Sequence, residues 1–173
     1  MRKSLWLTIA ALVVAGATAT AALAAITVKS LPTASFSGAS VTVSGGNFSG
    51  LGDTPAFATV TASGQATYTC TNKGGNAAPG QNPVQAQGGS SGPVQLSSDH
   101  NGRSTIPPIT ATVTAPPTPT AQQVGCGGGG STSWTVTLNT LTATAAHLEI
   151  TQGGSLIFCR NYTLGGDPTG TAC

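Results

Sequence analysis

The chain carries two histidines, four carboxylates and four cysteines, and their spacing limits the chemistry they can share. Hydrolysis through a nucleophile needs a histidine held between a carboxylate and a hydroxyl or thiol. His147 and Glu149 stand two residues apart, so on a strand they share one face and can hydrogen-bond. Asp99 adjoins His100 within SSDHNGR, where neighbouring side chains diverge and a polar turn accounts for the composition. Neither histidine is tied by motif to a nucleophile. The expectation is therefore an exposed pair and a polar turn, with no catalytic residue assigned. An extracellular hydrolase using His147/Glu149 or Asp99/His100 is the alternative.

Other chemistries find less. Paired-carboxylate glycosidases need two acids across one cleft, whereas Asp53 in GLGDTP and Asp167 in GGDPTG sit where Asp caps its own turn. No D-x-D-x-D-G loop offers calcium enough oxygens, and no C-x-x-C spacing suggests zinc or redox work. The glycine-rich runs lack the Lys and following helix of a phosphate loop. No metal and no cofactor is expected.

The elements that must position these residues begin with a segment to set aside. Arg2 and Lys3, an uncharged run over residues 5–17 and Ala22-Leu23-Ala24 have the order of a signal peptide, so residues 1–24 are excluded from the fold and export is expected. Residues 25–173 form one domain's worth of chain, and no later stretch is apolar for long enough to span a bilayer as a helix. Lys29, Lys73, Arg103 and Arg160 balance Asp53, Asp99, Glu149 and Asp167, so the exported part is formally neutral. It has no basic stripe for phosphates, and nucleic acid is not an expected partner. Cys70, Cys126, Cys159 and Cys173 make an even count, which in an exported chain reads as two disulfides with three possible connectivities.

Period-two alternation dominates the exported part of the chain. Val41 and Val43 alternate with Ser40 and Thr42, and the even positions from Ala56 to Cys70 form an apolar row that places Cys70 on the core side. That row is one long strand, or two joined by a bend at Ser63-Gly64. Residues 72–92 are dense in Gly, Pro and Asn, which predicts mostly loop with a short strand at residues 84–87. Strand signals return at residues 94–96 and, after Asn101-Gly102, at Ile109, Ala111 and Val113. The proline-rich stretch ending at Cys126 reads as a crossover between sheets. Trp134, Val136 and Leu138 are expected inward, as are Ala146, Leu148 and Ile150; after a Gln152-Gly153-Gly154 hairpin so are Leu156, Phe158, Tyr162 and Leu164, with Arg160 interrupting. Phe48, in GGNFSGLG, is the aromatic expected to be exposed. Asn47-Phe48-Ser49 and Asn161-Tyr162-Thr163 match the glycosylation sequon, which matters in a eukaryotic host. Short strands and two longer crossovers predict an all-β fold, an antiparallel β-sandwich of Greek-key, Ig-like type, with a small closed β-barrel as the alternative.

TCTN at residues 69–72, GGNAAPGQNP at 74–83, the Asn101-Gly102-Arg103 turn, PTPTAQQVGC at 117–126 and SWTVTL at 133–138 resemble a set of uncharacterised secreted proteins of actinomycetes and neighbouring soil bacteria. The resemblance covers roughly residues 45–164 and implies that Cys70 and Cys126 are the shared pair. Cys159 and Cys173 are then this chain's addition, and GCGGGGSTSW departs from the more usual opening after that cysteine. Strand register agrees: Cys70 faces the core and Cys126 closes the crossover, while Cys159 faces outward and reaches a peripheral tail. Together these features describe a secreted, non-catalytic extracellular or cell-surface module, structural or binding, whose expected partner is a cell-wall glycan or an extracellular protein. Its candidate contacts are Asn72, Lys73, Asn76, Gln81 and Asn82 on the 72–92 segment, with Phe48.

Overall fold

A computed structural model describes residues 26–127 and 133–173; the expected signal peptide over residues 1–24 lies outside the described residues. Eleven strands and no α-helix occur among them. They form two antiparallel sheets in a sandwich-like arrangement, one of them strongly curled into a half-barrel. The smaller sheet has the order β1 (Thr27–Ser37), β2 (Ser40–Ser49), β8 (Ser104–Thr112).

The larger sheet is built on β3 (Ala56–Asn72), which pairs along its whole length with β9 (Trp134–Gln152). Beyond β9 lie β10 (Ser155–Thr163) and the short β11 (Thr171–Ala172). The even row of β3 is buried from Ala56 to Cys70 without a break, as the alternation predicts. It is one strand, with a register shift against β9 at Ser63/Gly64. A β-carbon on Gly64 would collide with the Thr142 carbonyl, so glycine is what lets the two strands close at the bulge.

Three expectations change. Residues 72–92 are mostly irregular with a short strand at β5 (Val84–Gln85), as expected, but they also hold β4 (Ala77–Pro79) and β6 (Gly89–Ser90), and with the expected β7 (Val94–Leu96) all four pair antiparallel with β3 as one interrupted edge strand. Glycine and proline break its ladder without preventing it, because an edge strand pairs on one side only. Second, Leu138 is 44% exposed although Trp134 and Val136 are partly buried against the Cys70 cluster. Leu156 and Leu164 are likewise about half exposed, while Phe158 packs on the core and Tyr162 is 1% exposed. The register shift at Leu156/Phe158 in β10 sets Leu156 opposite the outward Thr151, which a strict two-residue period does not anticipate, whereas Leu138 keeps its register opposite Tyr68 and Leu164 lies past the end of β10. Arg160 is accommodated beside Tyr162 because its Nε donates to the Thr169 carbonyl at 2.5 Å and its Nη2 to that of Gly170.

Third, Phe48 is not exposed: at 2% exposure it lies in the main core, its ring edge-on to Phe158. The glycines around it leave β2 short of apolar neighbours, and burial of this one ring fills the space between the sheets.

The crossover after β8 does join the sheets. It lays Ala121, Val124 and Cys126 over Ala66, Tyr68 and Cys70, a second apolar cluster beyond the end of the sandwich. The disulfides are Cys70–Cys126 and Cys159–Cys173, with Cα separations of 6.2 and 5.9 Å and no free cysteine among the described residues. Such pairing suits an oxidising, extracellular-type environment. No helix of the described residues is long and apolar enough to cross a membrane.

Candidate functional site

His147 on β9 faces outward between two neighbours. Its Nδ1 is 2.7 Å from Oδ1 of Asn161 on β10, and its Nε2 is 3.1 Å from Oε1 of Glu149. The side chains of His147 and Glu149 are 34% and 47% exposed. Both ring nitrogens thus have partners, and neither is directed at a hydroxyl as a general base would be. A hollow of about 290 Å³ beside the ring is lined by Thr61, Ser63 and Thr163 on the same sheet face. The expected exposed pair is what the fold contains.

Asp99 and His100 diverge. Asp99 Oδ1 accepts the backbone N–H groups of Arg103 at 2.8 Å and Asn101 at 2.9 Å, and the Arg103 amide above all holds its carboxyl below the usual aspartate range. His100 Nε2 contacts the Asn101 side-chain amide at 3.2 Å. Asp167 is likewise held low by the backbone N–H of Thr169, with that residue's hydroxyl adding to it. Both carboxylates cap their turns, a role expected of Asp167, whereas the sequence of the Asp99 segment predicts a polar turn.

Of the candidate contacts on residues 72–92, Lys73, Asn76, Gln81 and Asn82 are exposed and Asn72 is partly buried, while backbone groups of several serve the fold. Asn72 closes the β3–β4 hairpin: its Oδ1 accepts the Asn76 N–H at 3.0 Å, and its own N–H donates to the Asn76 carbonyl. The backbone N–H groups of Gln81 and Asn82 both donate to the Val124 carbonyl, stitching the edge strand to the crossover. Lys73 is exposed on the hairpin. Phe48 contributes no exposed face.

A groove of about 630 Å³ lies instead where β1 begins, β2 ends and β8 begins. Its lining comes from four stretches of chain: Lys29; Asn47 with the buried Phe48; Ser97, Ser98 and Asp99; and Arg103, Ser104 and Thr105. Lys29 is the extra residue where the β1/β2 register shifts between Val28 and Ser30. The Asn47 amide donates to Ser30 Oγ at 2.8 Å and accepts from Thr105 Oγ1 at 3.1 Å, tying three strands together at the rim. Ser104 Oγ donates to the Ser97 carbonyl at 2.9 Å, which anchors the 97–104 loop. Among the described residues neither Lys29 nor Arg103 has an ion-pair partner within 4.0 Å. Apart from Phe48 and Asp99, none of these residues stands out in the sequence as a candidate; the signal in reach is the polar SSDHNGR segment, whose composition a turn alone explains.

Compared with protein-family models, curated proteins and solved structures, the chain matches none. Among the described residues there is also no group of three or more His, Cys, Asp or Glu placed to hold a metal ion.

Proposed function

We propose that this chain is a secreted, non-catalytic binding module acting outside the cell or at its surface, and that its ligand seat is the groove between Lys29, Asn47 and the 97–105 segment. One observation carries the reading: two cations without ion-pair partners among the described residues, an amide and several hydroxyls converge on one concavity, away from His147 and with His100 only adjoining it through the Asp99 turn. Ligand pockets typically combine such convergent polar groups with a volume of roughly 300–1,000 Å³. The two disulfides support an extracellular setting, and the signal-like residues 1–24 support export.

The test compares three proteins in pull-downs from cell-wall extract and in hydrolase screens: wild type, Thr105→Trp to fill the groove, and a His100→Ala/His147→Ala double variant. Capture should disappear with Thr105→Trp and persist in the double variant, with no turnover by any of the three. A turnover that the histidine variant abolishes, or capture that survives the filled groove, overturns the proposal.

A further inference from the structure

The ligand's chemical class can be read from which charges are free. Four cations remain after residue 24, and they are not equivalent. Arg160 is held by the Thr169 and Gly170 carbonyls, and Lys73 stands on the β3–β4 hairpin. Lys29 and Arg103 both line the groove, exposed and without ion-pair partners among the described residues. In a chain whose exported part is formally neutral, this concentrates positive charge at one concavity.

Asp99 keeps the groove from being a plain anion site. Its Oδ1 is occupied by two backbone amides, and its other oxygen has no hydrogen bond within the described residues. That oxygen repels a bare anion but accepts a hydroxyl. Ser98, Asn47 and Thr105 add groups that pair with hydroxyls at the same rim. Phe48 beneath is 2% exposed, so it offers no platform on which a sugar ring could stack. Recognition must then be polar and charge-assisted.

We infer that the groove takes an acidic glycan, a polyhydroxylated chain carrying carboxylate or phosphate groups, with the anion between Lys29 and Arg103 and a neighbouring hydroxyl on Asp99. The inference rests on the binding-module reading and gives it a ligand. An anion shared by a lysine and an arginine gains charge-assisted hydrogen bonds, and binding should weaken as salt rises.

The experiment is titration calorimetry of the mature, disulfide-bonded protein against four probes: oligogalacturonate, its methyl-esterified neutral counterpart, oligo(glycerol phosphate) and inorganic phosphate. Binding is expected for at least one polymeric anion and not for the neutral counterpart or inorganic phosphate; which polymer binds identifies carboxylate or phosphate as the anion. Lys29→Gln and Arg103→Gln should each weaken it about 10-fold. Asp99→Asn, which keeps the turn's acceptor, should weaken the polymer and not create a phosphate site. No binding by either polymer, equal binding of the esterified form, or indifference to both cation substitutions overturns the inference. Its failure is separable from failure of the module reading. If neither polymer binds while Thr105→Trp still abolishes capture from cell-wall extract, only the ligand class is wrong. If a polymer binds and is cleaved, as product analysis by NMR would reveal, the groove assignment stands and the non-catalytic reading falls.

Discussion

The rings of Phe48 and Phe158 meet edge to face, with centroids 5.1 Å apart and planes at 77°. One belongs to the smaller sheet and the other to the larger, so this contact joins the two layers beneath the groove. Phe48→Ala should destabilise the protein by roughly 3–5 kcal/mol, since it removes a buried aromatic from between sheets that cannot collapse onto the void. Leu156→Ala, on a residue 54% exposed, should stay within about 0.5 kcal/mol. Urea midpoints at constant m-value check both, and equal shifts would mean that the β10 register is other than described.

The two disulfides should differ in what their loss releases. Cys70–Cys126 closes a loop with a sequence separation of 56 and ties the crossover to β3, so replacing both cysteines with alanine should lower global stability by about 4 kcal/mol. Cys159–Cys173 spans 14 and holds β11, which pairs with β10 at two positions. The chain-entropy value for that loop is about 3 kcal/mol, but the tail can detach without unfolding the sheets, so the global shift should be smaller. Limited proteolysis of the second variant should remove the C-terminal tail first and leave the remainder intact.

Burial pushes the Tyr162 phenol up to about 12, against an ordinary value of 10.0. Its folded value lies above the unfolded one, so the stabilisation is fully present below pH 10 and is lost as pH rises toward 12. The loss amounts to about 3 kcal/mol in order of magnitude. Its hydroxyl lies 3.4 Å from the Pro32 carbonyl, a long contact whose removal costs little. Tyr162→Phe should therefore leave neutral-pH stability nearly unchanged and flatten the fall between pH 10 and 12. An alkaline denaturation series of both proteins decides it, and parallel curves would refute burial of the phenol.

His147→Ala and Glu149→Gln should each move the thermal midpoint very little. Their ion pair is half in solvent and worth at most about 1 kcal/mol. A large loss from His147→Ala alone would show that its contact with Asn161 anchors β9 to β10, which its exposure argues against.

Much of the fold is legible in the sequence because β3 obeys its period: every second residue from Ala56 to Cys70 is buried, and Cys70 therefore faces the crossover that carries Cys126. The sandwich-like class, the hairpin at Gly153-Gly154, the polar turn at Asp99, the capping role of Asp167 and the strand register behind both disulfide pairings come from local chemistry of the same kind. Alternation stops informing where an extra residue enters a strand, as at Leu156, and it does not report where cover ends: Leu138 is exposed though it pairs with Tyr68, and Leu164 lies past the end of β10. Composition also conceals the edge strand along β3, because glycine and proline mark turns in isolation yet tolerate pairing when a long, regular neighbour supplies the ladder. The groove belongs wholly to tertiary structure. Lys29, Asn47 and Arg103 stand in separate segments, none of which points to the others, and only the meeting of β1, β2 and β8 at one end of the smaller sheet brings them to a common space.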